Sequence, residues 1–241
     1  MLELHQFRQS SFCLKVRMVL AAKNLPYKKV EVTPGLGQLS IFRLSGQKQV
    51  PILVDRENII SDSSNIIRYL EKLNPRTKLL PDDPRERALV HLIEDWADTT
   101  MASSARIVLM KAAARDPDLL IGLLPDETPM RISEAIRDLP LELVNKMSDF
   151  IYESKGSELF TSLEELSHLI EKHQWIVGNS ISVADIALAA QLSMLRFPKS
   201  AGNKLAGKGC PGFSDHPSLA HLFDWRDQLE NHLMKTHSQV E

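Results

Sequence analysis

Residues 10–13 read Ser-Ser-Phe-Cys and run into an apolar stretch with helical spacing, Leu14 to Leu20. The unpaired N–H groups of a helix's first turn and its partial positive charge attract anions. Two chemistries are therefore open. Ser10 or Ser11 could be a plain N-cap, or the pair could sit where a thiolate is held. Ser61-Asp62-Ser63-Ser64 has the same character ahead of a second apolar run, with a capped helix and an anion-seeking helix start again both open. Between them lies Lys48-Gln49-Val50-Pro51-Ile52-Leu53. A proline there is either an ordinary strand start or the second residue of a cis Val50–Pro51 bond that turns the Val50 backbone toward a ligand.

Other chemistries find less support. The two cysteines, Cys13 and Cys210, make no disulfide framework and point to a reducing cytosol as the expected compartment. Cys13 reads as a small buried residue, and Cys210, in a glycine-rich stretch, as exposed and incidental. His168 and His173, His216 and His221, and His232 and His237 are each spaced five apart, so no metal site is expected. A net charge of −2 gives no basic field for nucleic acid or an anionic membrane surface. No apolar run approaches the ~20 residues needed to span a bilayer. The first residues lack the apolar core of a signal peptide.

The elements that must position these residues change character along the chain. Residues 2–7 read as a strand, 12–23 as a helix and 28–32 as a strand; 39–44 is ambiguous. Residues 51–55 and 58–61 form a predicted hairpin, and 62–73 a helix. After a proline-marked linker at 79–86 the strand signals stop. Apolar or small residues at 89, 93, 96, 100, 103, 107, 110 and 114 predict one long helix over 85–115 with that stripe packed inward. Four prolines in 116–155 predict short helices only. Further helices are expected over 157–173, 182–196 and 217–235, with a loop at 197–217. Ser182 and Asp185 have the spacing of a capping box, with Ile181 and Ile186 as its hydrophobic staple. The expectation is an α/β domain, 1–80, followed by an all-helical domain, 85–241.

The stretches SSFCLKVRMVL, KQVPILVD and ISDSSNIIRYLEKL, in this order and at these intervals, resemble the N-terminal domain of cytosolic glutathione transferases, and the serine pair and K-Q-V-P are most similar to the zeta class. SSFC also resembles a glutaredoxin site with serine for the first cysteine. GNSISVADIALA (178–189) looks like the family's helix-capping motif. The resemblance implies a thioredoxin-like N-terminal domain, an all-α C-terminal domain, a homodimer, and glutathione as co-substrate. Carried over by position, it implies that the Ser10 hydroxyl donates to the glutathione sulfur, with Ser11 beside it. It implies that Val50 and the cis Pro51 pair with the cysteinyl unit, Gln49 contacts the glycyl end, and Asp62 and Ser63 hold the γ-glutamyl end. Asp62 departs from the family's longer Glu or Gln. Thr100, Ser103 and Arg106 are candidates for the second substrate. The implied reaction is thiolate attack on a small apolar electrophile. A zeta-like cis-trans isomerase and a non-catalytic glutathione-binding module remain as alternatives.

Overall fold

β1 (Leu2–Gln6) buries Leu2, Leu4 and Gln6 and leaves Glu3 and His5 half-buried, the alternation of a strand with one face on the core. It lies inside a four-stranded sheet of order β2-β1-β3-β4, parallel to β2 (Tyr27–Glu31) and antiparallel to β3 (Ile52–Asp55); β3 in turn pairs antiparallel with β4 (Asn58–Ser61). Ile52 and Leu53 of the inner strand β3 are both fully buried, whereas the edge strands β2 and β4 expose Lys28, Lys29 and Asn58. The computed structural model describes residues 1–34, 37–125, 128–131 and 149–238.

Three helices complete this α/β unit. α1 (Ser11–Ala22) joins β1 to β2, α2 (Gln38–Ser45) lies between β2 and β3, and α3 (Ser63–Leu73) follows β4 and packs on α1. The ambiguous stretch 39–44 is thus helical. Only Ile41 of α2 is buried, against Val32 and Ile52, while Leu39 and Phe42 face outward, so no clean apolar face marks it as a helix.

By packing, the chain forms two compact units: Met1–Asp95 with Trp175–Ala190 and Asp227–Glu241, and Trp96–Gln174 with Gln191–Arg226. Besides the sheet, the first contains most of α4 (Pro84–Trp96) and most of α8 (Val183–Leu192). The second contains α5 (Ala102–Arg115), α6 (Pro117–Gly122) and α7 (Asp149–Lys172), and α9 (Ala220–Ser238) begins in it.

Two expectations for 85–115 are corrected. A π-helical segment, Ala97–Met101, interrupts the α-helical hydrogen bonding, although Trp96 and Ala102 keep helical dihedrals. The buried positions are also not the expected ones. Val90, Glu94, Ala97, Met101, Ala105 and Val108 are buried, while Leu89 (44% exposed) and Met110 (58%) are not.

α7 starts earlier than expected, at Asp149, and packs on α5. Of the 116–155 region, Asp116 caps α6 through the N–H groups of Asp118 and Leu119, and 126–127 and 132–148 lie outside the described residues. The helix expected over 182–196 ends at Leu192. The following segment folds back on itself: Phe197 N–H donates to Lys208 C=O (2.7 Å), Gly207 N–H to Phe197 C=O (3.0 Å) and Cys210 N–H to Leu195 C=O (2.8 Å). A Cβ on Gly209 would come 2.5 Å from the Leu195 carbonyl oxygen, so the close approach needs glycine. Cys210 is therefore fully buried, a correction to the exposed thiol expected from the sequence, and burial pushes its pKa up to about 12. Phe213 beside it meets Phe160 of α7 edge to face, 5.7 Å between ring centroids.

Candidate functional site

The register of the sheet gathers three of the stretches singled out in the sequence. His5 near the end of β1 pairs with Ile52 at the start of β3, and Ile52 pairs with Ser61 at the end of β4. The β1–α1 loop with Ser10, the Val50–Pro51 bond, and the β4–α3 junction with Asp62 and Ser63 therefore leave the same end of the sheet. Two helix starts and a strand start converge there.

Ser10 is the N-cap of α1, with extended backbone (φ −73°, ψ 121°). Its hydroxyl oxygen accepts the Cys13 N–H at 3.3 Å and lies within hydrogen-bond reach of the Cys13 thiol. The cap bond uses the oxygen as acceptor, which leaves the one hydroxyl proton for either the Cys13 thiol or a ligand thiolate. Ser10 is half-buried, whereas Ser11 is buried in the first turn. Between the two serines, exposure favours Ser10 as the one a ligand can reach.

A network that sequence reasoning missed pins the loop carrying Ser10. Arg17 donates to the Gln6 side-chain oxygen (2.8 Å) and to the Arg8 carbonyl (3.1 Å). Gln6 donates to Glu31 (3.0 Å), and Glu31 also accepts the Arg8 N–H (2.6 Å). Arg17 is buried, though a basic residue on a helix reads as a solvent-facing one.

Val50–Pro51 is cis. Val50 lies beyond the last pair of the β1–β3 ladder, which ends at Ile52, and is half-buried; Gln49 before it is exposed. At the third corner Asp62 is the N-cap of α3 rather than a residue of its first turn. Its carboxylate accepts the Asn65 N–H at 3.0 Å, and its φ of +72° is unusual for a residue with a Cβ. Such backbone costs about 1–3 kcal/mol and clusters at ligand sites. Ser63, the first helical residue, is buried.

Cys13 is fully buried, and burial pushes its thiol up despite the hydrogen bonds from Ser10 and Phe7 and the charge of Arg17. It packs as a small apolar residue, as its sequence setting suggests. The remaining candidates belong to the second unit. Thr100 ends the π segment's exposed side, and Ser103 and Arg106 are exposed on α5. The Ser103 hydroxyl donates to the Thr100 carbonyl (2.9 Å) and is engaged by its own helix. Among the described residues no cluster of His, Cys, Asp and Glu has the makings of a metal site, and no helix is long and apolar enough to cross a membrane.

A four-stranded mixed sheet with a capped serine and a cis-proline strand start defines a thioredoxin-like domain, here accompanied by a helical one. The family model for the glutathione S-transferase N-terminal domain matches residues 4–78, and that for the C-terminal domain matches residues 151–230. The chain belongs to the glutathione S-transferase family, whose members use glutathione. It is 37% identical over 118 residues to a maleylacetoacetate isomerase of Rattus norvegicus, covering 47% of this chain and 55% of that protein; the chain spans about half the length of this and of other curated relatives it matches. It is 24% identical over 199 residues to FtsZ-localized protein A of Caulobacter vibrioides, 80% of this chain and 77% of that one. Its fold is similar to the crystal structure of a glutathione S-transferase from Rhodospirillum rubrum, with TM-score 0.66 and 23% identity over 94% of this chain and 86% of that one.

Proposed function

We propose that this protein is a glutathione transferase in which glutathione thiolate attacks an electrophilic carbon of a small, mostly apolar compound. The reading rests on one observation: Ser10, Val50–Pro51 and Asp62–Ser63 leave the same end of one sheet. In this reading the Ser10 hydroxyl donates to the thiolate beside the positive end of α1, with Ser11 as its neighbour. The Val50 backbone, turned by Pro51, pairs with the cysteinyl unit, and Gln49 meets the glycyl end. The start of α3 offers a carboxylate at the exposed Asp62 and, from the largely buried Ser63, the N–H and hydroxyl donors that the family resemblance implies. The γ-glutamyl end carries an ammonium and a carboxylate and needs both. Residues 1–80 bind glutathione; 85–241 supply the electrophile site, with Thr100, Ser103 and Arg106 as candidates, and the contacts of a homodimer. The compartment is the cytosol.

The experiment is calorimetric titration with glutathione, followed by turnover of an activated aryl halide. Binding with consumption of glutathione supports the proposal. No binding overturns it.

A second reading, a glutathione-dependent cis-trans isomerase, is favoured by the likeness to the rat maleylacetoacetate isomerase. Turnover of a maleyl compound with no net loss of glutathione distinguishes it. A third, a non-catalytic module, is favoured by the long match to a protein named for its localisation with FtsZ. Tight glutathione binding without activity on any electrophile would select that reading.

A further inference from the structure

Lys15 lies on α1, and its side chain is wholly withdrawn from solvent. Its ammonium donates to Glu94 Oε1 of α4 at 2.7 Å and to the Ser64 hydroxyl of α3 at 3.3 Å. The Ser64 hydroxyl donates to the same Glu94 oxygen at 2.8 Å. The other Glu94 oxygen is 3.5 Å from His91 Nδ1. All of these residues lie within the first unit. Three helices thus meet at one carboxylate, and two of them are the helices whose starts carry Ser10 and Ser63.

Stability alone gives no reason for this arrangement. Withdrawing an ammonium and a carboxylate from water is costly, and apolar side chains of similar volume hold helices together as well or better. Apolar contact is non-directional and tolerates sliding, whereas hydrogen bonds at these lengths fix distance and direction. Ser64 adds the decisive link. Without it the ion pair would join α1 to α4 only. With it the first turn of α3, one residue past Ser63, is tied to α1.

We propose that Lys15, Ser64 and Glu94 form a buried clasp that sets the spacing between the Ser10 end and the Asp62–Ser63 end of the site, and so the fit of a ligand anchored at both. They are positioning residues. The ligand part of this inference rests on the glutathione reading; the clasp itself does not.

The test uses the full chain with two variants. Lys15→Met combined with Glu94→Leu removes both charges and leaves neither buried alone. Ser64→Ala keeps the ion pair and removes only the link to α3, and serves should the double variant not fold. The expected result is glutathione Kd and KM raised about tenfold or more in the double variant and about threefold or more in Ser64→Ala, with kcat at saturating glutathione changed less than about threefold. Amide exchange at Asn65 and Ile66, whose N–H groups bond to Asp62, should quicken by about tenfold while β1 and β3 stay protected. Unchanged Kd and unchanged exchange in folded variants would overturn the clasp. So would a fall in kcat with KM unchanged, which is the mark of a lost active fraction. If the unaltered protein bound no glutathione, the functional reading would fall, and the exchange data would still decide the clasp.

Discussion

Asp185 Oδ2 accepts two hydrogen bonds from Ser182, one from its backbone N–H at 2.8 Å and one from its hydroxyl at 2.7 Å, while Oδ1 accepts the Ile176 N–H at 2.8 Å. Both Asp185 and Ser182 are fully buried. The spacing of a capping box is present, but here the serine hydroxyl donates to the carboxylate. The aspartate also ties the 176–182 segment to the start of α8.

Replacing that carboxylate leaves two buried Ser182 donors and the half-buried Ile176 N–H without their acceptor. Each orphaned group costs about 1–3 kcal/mol. Asp185→Ala should therefore cost more than the ~0.5–2 kcal/mol of an exposed cap and lower Tm by about 6 °C or more. Affinity for glutathione in protein that stays folded should change little. A thermal melt with unchanged midpoint would show that these bonds do not matter to the fold.

Glu94 gives a pH signature. Burial alone would push its carboxyl up, but the Lys15 ammonium and the hydrogen bonds from Lys15, Ser64 and His91 outweigh burial and hold its pKa below the ordinary value. A carboxyl depressed in the folded state contributes stability that is present above its unfolded pKa and is lost as pH falls through its folded one. That window opens near about pH 4.3 and extends downward. Urea midpoints measured from about pH 6 to about pH 3 should fall in the unaltered protein, and its advantage over Glu94→Gln should shrink across the acid part of the series. An advantage constant with pH would mean that the depressed carboxyl is not what stabilises.

Neither thiol is poised to react. Cys13 and Cys210 are buried, and burial pushes both above the ordinary thiol range, Cys210 to about 12. Thiolate is the reactive form. In the native protein an aromatic disulfide reagent at about pH 8 should label neither cysteine within minutes, and two thiols should appear in denaturant. Rapid labelling of Cys13 in native protein would reopen a redox role for the SSFC stretch. Cys13→Ala should keep transferase activity within about threefold, because only packing is altered.

The sequence makes the starts of α1 and α3 legible better than the buried face of 84–115, while the starts of α2 and α7 stay hidden. Serines and aspartates before apolar runs mark the caps at Ser10 and Asp62 because the unpaired N–H groups have few other partners. Which face of 84–115 turns inward is hidden for a different reason. The buried line contains Ala97, Ala105 and the charged Glu94, while the more hydrophobic Leu89, Leu92 and Met110 are exposed. Hydrophobicity alone therefore selects the wrong stripe, one residue out of phase. Lys15 and Arg17 of α1 and Lys23 at its C-cap are basic residues of a type that is mostly exposed. Each is instead buried on a long-range partner: Glu94, Gln6 and Glu71 respectively. No local pattern announces a partner that lies 11 to 79 residues away. Cys210 was hidden by its glycines, which suggest an open loop but here let the backbone close on itself.

The central prediction concerns Ser10, and magnitudes decide it. A free cysteine thiol titrates near ~8.5. To be mostly thiolate at neutral pH, bound glutathione must drop by about two units, or ~2.7 kcal/mol. The start of α1 supplies ~0.3–1 kcal/mol, up to ~2 in partly buried geometry. A charge-assisted hydrogen bond from the Ser10 hydroxyl adds ~1.5–3 kcal/mol. The two together meet the requirement, and the helix end alone falls short. The structure bears on which serine does this. Ser10 is half-buried with its hydroxyl oxygen on the Cys13 N–H, and Ser11 is buried. Ser10→Ala should raise the pKa of bound glutathione, followed by thiolate absorbance, by about one unit or more, and cut kcat/KM at about pH 6.5 by about tenfold or more. Glutathione Kd, which the proposed site assigns to Val50, Asp62 and Ser63, should rise far less. The same substitution removes an N-cap, with a stability loss of about 0.5–2 kcal/mol. That loss separates the two roles: a cap-only serine lowers Tm and leaves the thiol pKa where it was. Full activity in Ser10→Ala with loss in Ser11→Ala would move the catalytic hydroxyl by one residue. Full activity in both would leave SSFC as a helix cap alone.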